Sequence, residues 1–141
     1  GAVRRLAADM LETMYAAPGR GIAAPQVGEA LRLFVMDVAW KDGARAPRIC
    51  IDPQITWRGG LTATGAEACL SIPGVTARVR RPVTVALRYT DLDGARHTLR
   101  LTGAEARVAQ HEADHLDGRV TFDRLPPAQR RALEAAYAAR A

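Results

Sequence analysis

The hydrophobic positions near the start of the sequence are spaced as on one face of a helix. Between residues 2 and 16, apolar side chains recur at intervals of three and four residues, and charged side chains fall between them. Pro18 and Gly19 follow directly, and this pair is expected to end the helix. The predicted buried face consists of Val3, Leu6, Met10, Leu11 and Met14.

The middle of the sequence carries patterns typical of β-strands. Residues 31–38 are almost continuously apolar, which predicts a strand buried on both faces. A second strand is expected over residues 48–57 despite Pro53, and residues 58–66 are expected to form a loop rich in Gly and Thr. Apolar and polar residues alternate from 83 to 90, and a turn at 91–94 leads to a partner strand over 96–101.

A second helical pattern starts near residue 102. Thr102 and Glu105 have the spacing of a capping box, and Gly118 is expected to end the helix. After it, residues 120–125 are expected to be extended, and Pro126-Pro127 to open a last helix with Leu133 and Tyr137 inward. One face of the second helix is predicted to carry Ala104, Val108, His111 and His115.

These elements predict a single α+β domain over residues 1–141. Antiparallel β-sheets are expected to pack around a central helix that contains the His-Glu-x-x-His pattern. An N-terminal and a C-terminal helix complete the predicted fold.

The chemistry of the central helix lies in His111, Glu112 and His115. The two histidines are one turn apart on one face, so two imidazoles can hold one metal ion while the carboxylate reaches a water on it. Two packed or solvated histidines on an ordinary amphipathic helix are the alternative interpretation of a pattern this short.

A catalytic metal of this kind needs a third protein ligand and one open position. Cys69 lies in a non-helical segment beside acidic and small residues, and is a candidate for that ligand. The other cysteine, Cys50, lies in a predicted strand and is interpreted as a core residue. His97, in another predicted strand, is interpreted as a surface or half-buried histidine.

Composition narrows the functional classes. The formal net charge is +5, but the basic residues are scattered, and only Lys41 among the 20 Lys and Arg residues is a lysine. Without a recognition motif, this charge predicts no sequence-specific nucleic-acid partner. With no apolar run of membrane-spanning length, no signal-peptide pattern and only two cysteines, we expect a cytoplasmic protein without a membrane partner.

Residues 19–28 are too rich in Gly and Pro for regular structure, and small residues let a ligand or another backbone come close. Gln26 is the neutral polar side chain in this segment that carries both a donor and an acceptor. From chemistry alone, a plain connection between a helix and a strand is the favoured interpretation.

Three segments nevertheless occur together in a characteristic order. They are Gly-Arg-Gly-Ile-Ala-Ala-Pro-Gln at 19–26, Glu-Ala-Cys-Leu-Ser at 67–71 and Gln-His-Glu-Ala-Asp-His at 110–115. In this order and spacing they resemble the three motifs of the peptide deformylases, and the resemblance runs through nearly the whole sequence. Each motif alone is weak, whereas the ordered set is highly specific.

The resemblance implies a hydrolase that removes the N-formyl group from the N-terminal methionine of newly made polypeptides and releases formate. It also implies one divalent metal ion, natively iron(II), with zinc, nickel or cobalt as substitutes. Carried over residue by residue, the metal ligands are Cys69, His111 and His115. The catalytic groups are Glu112 as general acid and base, with Gln26 and the backbone N–H of Leu70 holding the oxyanion.

The resemblance further implies a peptide site lined by Gly21 and Ile22, with Arg20 at the pocket for the first side chain. Glu67 and Ala68 belong to the same site, and Glu67 is expected to pair with Arg81 and brace the cysteine loop. The expected partners are formylated nascent peptides near the ribosome, in a bacterial cytoplasm, with the protein acting as a monomer.

Three features depart from the family pattern. Relatives usually have glycine at the position of Ala68, an aliphatic residue at the position of Arg20, and an extended arm before the first helix. This sequence begins almost at that helix, so it is interpreted either as an N-terminally trimmed chain or as a divergent member. Two other functions stay open at this point: a deformylase-like metal-binding protein with a binding or regulatory role, and a metallopeptidase with the same helix motif.

Overall fold

The computed structural model describes residues 1–69 and 72–118, and for residues 68, 69 and 72–75 it describes the backbone alone. The described part contains two α-helices and seven β-strands. In chain order these are α1 (Ala2–Ala16), β1 (Gly21–Ala23), β2 (Leu33–Met36), β3 (Arg48–Arg58), β4 (Thr62–Cys69), β5 (Ile72–Pro82), β6 (Thr84–Thr90), β7 (Arg96–Thr102) and α2 (Gly103–Leu116).

The strands form two antiparallel sheets. One has five strands in the order β1-β2-β3-β6-β7, and the other consists of β4 and β5. Helix α2, which carries the His-Glu-x-x-His pattern, lies against strands of both sheets. The prediction of an α+β fold with antiparallel sheets around a central helix is therefore confirmed.

Strand β2 separates two hydrophobic clusters. Phe34 and Met36 pack on the side of α2, whereas Leu33 and Val35 pack on the side of α1, with Met10 and other α1 residues. Successive side chains of a strand point to opposite faces, so a strand with a helix on each side must be apolar throughout. This explains the continuous apolar run from which β2 was predicted.

Most element predictions are confirmed, and several details were wrong. Residues 19–28 are not irregular throughout, because they contain β1 and a 3₁₀ turn over Ala24–Val27. The helix over 2–16 forms, but Val3 is exposed and is no part of its buried face. Residues 58–66 do not form a single loop, because β4 already begins at Thr62, which pairs with Pro82 of β5. Ala104 is exposed as well, and the buried positions in the first turns of α2 are Ala106 and Ala109 instead.

The start and the end of α2 differ in how well they were predicted. Thr102 is the N-cap residue, but the predicted capping box is absent, because the Glu105 carboxylate pairs with Arg48 at 3.4 Å instead. Gly118 has a φ of +77° just beyond the helix, a conformation that glycine adopts without steric cost.

The elements predicted over residues 120–141 lie outside the described residues. No helix in the described part is both long and apolar enough to cross a membrane.

Candidate metal centre

His111 and His115 converge inside the protein. Both side chains are buried, and their Nε2 atoms lie 3.2 Å apart. Two nitrogens bound to one tetrahedral ion at the usual Zn–N distance are separated by about 3.3 Å. The two imidazoles are therefore spaced as ligands of a single ion would be.

The second ring nitrogen of His111 is bound to an acidic residue of β4. His111 Nδ1 lies 2.8 Å from Glu67 Oε1. Since an ionised carboxylate only accepts hydrogen bonds, Nδ1 carries the proton and donates it, and this leaves the Nε2 lone pair directed toward His115. A carboxylate behind a histidine in this way is the usual support of a metal ligand.

Glu67 is the acceptor for several cationic groups. Arg81 donates from Nε to Glu67 Oε2 at 2.6 Å and from Nη2 to Oε1 at 2.8 Å, and Arg107 donates from Nη1 to Oε2 at 2.6 Å. Burial alone would raise the pKa of Glu67, but hydrogen bonds from His111 and Arg81 outweigh it and lower the pKa to about 2. Glu67 is therefore ionised at neutral pH although it is buried.

Arg81 connects this carboxylate to a second acidic residue on α2. Its Nη1 atom donates to Asp114 Oδ2 at 3.0 Å, and its side chain is only 4% exposed. Because Asp114 directly precedes His115, the Arg81 guanidinium joins β5 to the turn of α2 that carries the second histidine. The pair expected between Glu67 and Arg81 is present and extends to Asp114.

Glu112 lies beside the histidines and against β1. One ligand atom each from His111, Glu112 and His115 lie within 4.8 Å of one another. A Cβ atom placed on Gly21 would come within 2.7 Å of Glu112 Oε2 and 2.9 Å of Val108 Cγ1. The absence of a side chain at Gly21 thus lets β1 approach the carboxylate.

Gln26 lies in a 3₁₀ turn, Ala24–Val27, which follows β1 and lies against α2. Its Oε1 atom accepts a hydrogen bond from the Ala23 N–H at 2.8 Å. The carbonyl end of the side chain is therefore engaged within the turn, and the NH₂ end is the one that can donate to a ligand.

The family model for polypeptide deformylase matches residues 1–131. The chain belongs to the polypeptide deformylase family. It is 48% identical over 123 residues to peptide deformylase 2 of Gloeobacter violaceus, an alignment that covers 87% of this chain. The chain spans 66% of the length of that relative.

Solved deformylase structures share its fold. The peptide deformylase of Thermus thermophilus is 44% identical, with a TM-score of 0.89 over 99% of this chain and 81% of that one. A peptide deformylase of Synechococcus elongatus, solved in complex with actinonin, is 37% identical, with a TM-score of 0.92 over 98% of this chain and 76% of that one.

Several residues expected in a deformylase site lie together in this structure. Gly21 and Ile22 of β1 and the turn with Gln26 adjoin α2, whereas the exposed Arg20 donates from Nε to the carbonyl oxygen of Val38 at 2.9 Å. The predictions for Ala68 and Cys69 concern side chains that the structure does not describe. The prediction for Leu70 lies outside the described residues. The backbone of Cys69, at the end of β4, pairs with Ile72.

Two residues of the hydrogen-bond network around Glu67 and Arg81 were missed in the sequence. Asp114 lies within the His-Glu-x-x-His segment, but the pattern leaves that position unspecified. Arg107 precedes His111 by one helical turn, and this spacing alone could have indicated that both side chains reach the same neighbour. Nothing in the sequence shows that this neighbour is Glu67, since Arg107 and Glu67 are 40 positions apart.

The distance between the two histidines predicts that His115→Ala abolishes tight binding of a divalent ion. One imidazole alone leaves the ion with too few protein ligands. Cobalt(II) titration of the metal-free protein measures the affinity. His97→Ala is the matched control, because His97 is bound to Asp91 through Nε2 at 2.7 Å and is no part of this centre. Equal affinity in the two variants would contradict the assignment.

Proposed function

We propose that this chain is a metal-dependent amide hydrolase that removes the formyl group from the N-terminal methionine of newly made polypeptides. The observation that carries the proposal is the convergence of two imidazole nitrogens 3.2 Å apart with a buried carboxylate, in a member of the polypeptide deformylase family. The C–N bond of the formamide is broken, the C–O bond of formate is formed, and the free amine receives a proton.

The proposed ligands are His111, His115 and the thiolate of Cys69, and the proposed native ion is iron(II), with zinc, nickel or cobalt as substitutes. The ion would supply the Lewis acidity that makes a water molecule nucleophilic near neutral pH. Imidazole and thiolate donors suit iron(II) and zinc better than they suit magnesium or calcium. Glu67 and Arg81 would keep the His111 ring in the tautomer that presents Nε2.

Glu112 is the proposed proton carrier. It would accept the proton of the attacking water and deliver it to the departing amine. Its burial and its contact with the backbone of Gly21 favour this role, because both restrict the carboxylate to the space beside the two histidines. A competing assignment makes Glu112 the third ligand, since its carboxylate lies near both rings.

The oxyanion is proposed to be held by two donors, the amide NH₂ of Gln26 and the backbone N–H of Leu70. The Gln26 side chain is oriented by the hydrogen bond between its Oε1 atom and Ala23 N–H, so the donor would not need to reorganise during the reaction.

The peptide is proposed to bind along β1. Among the described residues, β1 has only β2 as a neighbour in the sheet. The Arg20 carbonyl accepts from Asp37 N–H on the β2 side, so by the alternation of an antiparallel pair the N–H and C=O of Gly21 face the open edge. An extended peptide can add to such an edge through its backbone, which suits nascent chains of varied sequence.

Formate release together with metal content tests this proposal. Glu112→Ala should keep the ion and lower kcat about 100-fold or more, because the residue moves protons and does not bind the ion. Cys69→Ala should lose the ion. The measurements are formate release from a formyl-Met peptide and elemental analysis of each purified variant.

The outcomes separate the assignments. Loss of metal in Glu112→Ala with retention in Cys69→Ala would make Glu112 the third ligand. A metal-loaded wild-type chain that releases no formate would favour a binding or regulatory role instead. Cleavage of unformylated peptides would indicate a metallopeptidase.

The close approach of Gly21 to Glu112 predicts the effect of a single methyl group. Gly21→Ala places a Cβ atom 2.7 Å from Glu112 Oε2, so either the carboxylate or β1 must shift. Since displacing a catalytic group by about 1 Å can cost about 100-fold in rate, kcat should fall while the metal content stays unchanged. Gly60→Ala is the control, because a Cβ atom there meets nothing within 4 Å. Normal kcat in Gly21→Ala would argue that Glu112 needs no fixed position.

Arg20 is proposed to widen the substrates that the chain accepts. Its guanidinium is exposed and fixed to Val38, so it can stay hydrated at the edge of the site and receive a polar or acidic side chain. The test compares kcat/KM for formyl-Met, formyl-Leu and formyl-Glu peptides in the wild type and in Arg20→Ile. The substitution should lower the relative rate with formyl-Glu, and unchanged ratios would exclude Arg20 from specificity.

The proposed setting is the bacterial cytoplasm, where formylated nascent peptides leave the ribosome. We propose that the chain acts there as a monomer. Light scattering of the purified protein and cosedimentation with translating ribosomes test these two points.

A further inference from the structure

A single arginine of α2 joins both strands of the two-stranded sheet. The Nη1 atom of Arg107 donates to Glu67 Oε2 at 2.6 Å and to the Val79 carbonyl at 2.8 Å, and Nη2 donates to the Ala63 carbonyl at 2.9 Å. Ala63 and Glu67 belong to β4, and Val79 belongs to β5. The planar fork of a guanidinium is suited to several acceptors at fixed positions.

Such a link matters because Ala77 and Val79 of β5 are the only buried apolar side chains among those described in this sheet. Among the described residues, neither cluster contains a member of β4 or β5. Most of the hydrogen bonds that connect α2 to the sheet involve at least one charged side chain. The connecting bonds are Arg107 to both strands, His111 to Glu67, Arg81 to Asp114, and Gln110 to the carbonyl of Pro82.

Arg107 also contacts the carboxylate that supports the metal centre. Arg107 and His111 are one helical turn apart, and they bind the two oxygens of the same carboxylate. Oε2 accepts from Arg107 and from Arg81 Nε, and Oε1 accepts from Arg81 Nη2 and from His111 Nδ1. A change in the carboxylate angle would therefore change the orientation of the His111 ring.

We propose that Arg107 is a positioning residue of the metal centre. It fixes the Glu67 carboxylate and the backbone of β4 and β5 at Ala63 and Val79, so that His111 keeps Nε2 directed at the metal site. Arg107 itself contacts neither His111 nor His115 in any hydrogen bond of the described residues. Its effect on the ion is therefore exerted through Glu67 and through the backbone of β4 and β5.

Gly65 provides a second, independent way to disturb the same contact. A Cβ atom on Gly65 would lie 3.0 Å from both Cζ and Nε of Arg107. The absence of a side chain on this residue of β4 gives the guanidinium the space to reach Glu67 and Val79. Gly65→Ala should push the guanidinium away without altering any charge.

The test is cobalt(II) affinity, measured by titration of the metal-free chain. Arg107→Ala should weaken binding about 10- to 100-fold, the usual effect of removing a group behind a metal ligand. Arg48→Ala is the matched control, because it removes an equal charge and an ion pair to the same helix, at Glu105. The control should bind cobalt(II) as the wild type does.

Nitrogen NMR of the metal-free chain separates positioning from general stability. In Arg107→Ala the His111 ring signals should show a weakened Nδ1 hydrogen bond, whereas a merely structural role would lower the melting temperature and leave those signals unchanged. Gly65→Ala should weaken the His111 Nδ1 hydrogen bond and the cobalt(II) affinity as Arg107→Ala does, but by a smaller amount. Gly60→Ala should change neither. If Arg107→Ala does not fold, the comparison of Gly65→Ala with Gly60→Ala tests the inference.

Wild-type affinity in Arg107→Ala, or in Gly65→Ala if only that variant folds, would overturn the inference. The inference rests on the metal site of the proposed function and not on the reaction. A wild-type chain that binds no divalent ion would instead refute the proposed function, so the two failures are distinguishable.

Discussion

The structure of the site depends on one buried carboxylate and the cations around it. A buried, ionised Glu67 would be strongly destabilising alone, and it is stable here because two arginines and one imidazole donate to it. Two of those donors, Arg107 and His111, come from α2, while Arg81 comes from β5. Two of its four hydrogen bonds, those from Arg107 and His111, therefore form only when the helix and the two-stranded sheet are docked. Docking of α2 on the two-stranded sheet therefore completes both the charge network and the support of the metal centre.

This dependence explains why the two sheets are held to α2 by different means. The five-stranded sheet supplies Phe34, Val85 and Leu87 to a cluster that includes Ala106 and Ala109 of the helix, and hydrophobic burial of this kind tolerates small displacements. The two-stranded sheet meets α2 through charge-assisted hydrogen bonds, which are short and directional. A ligand site benefits from the second kind of contact, because the angle of an imidazole ring must be fixed more closely than its depth of burial.

The sequence predicted those parts of the fold that have a local pattern. The apolar run of β2 and the alternation along β6 were enough to define strands, and the His-Glu-x-x-His spacing placed both histidines on one helix. The start of β4 was missed because its register with β5 comes from pairing across the sheet, and its Gly- and Thr-rich composition suggests a loop. The capping box failed because Arg48, more than 50 residues away in the chain, attracts Glu105 from the cap. Arg107 was missed for the same reason, since its partners lie on two strands whose docking no local pattern encodes.

Gly21 shows how closely β1 and the Glu112 carboxylate approach each other. Its backbone groups face away from β2, toward the side of β1 that has no neighbouring strand among the described residues, and a Cβ atom on it would lie 2.7 Å from Glu112 Oε2. A peptide that binds along this edge would therefore lie beside the carboxylate, with only the thickness of one backbone between them. Any larger residue would have to move either β1 or Glu112. In both cases the distance between a peptide bound along β1 and the proposed proton carrier would change. The proposed function thus requires the glycine because of the short distance between β1 and Glu112, and not because of a positive φ or a turn.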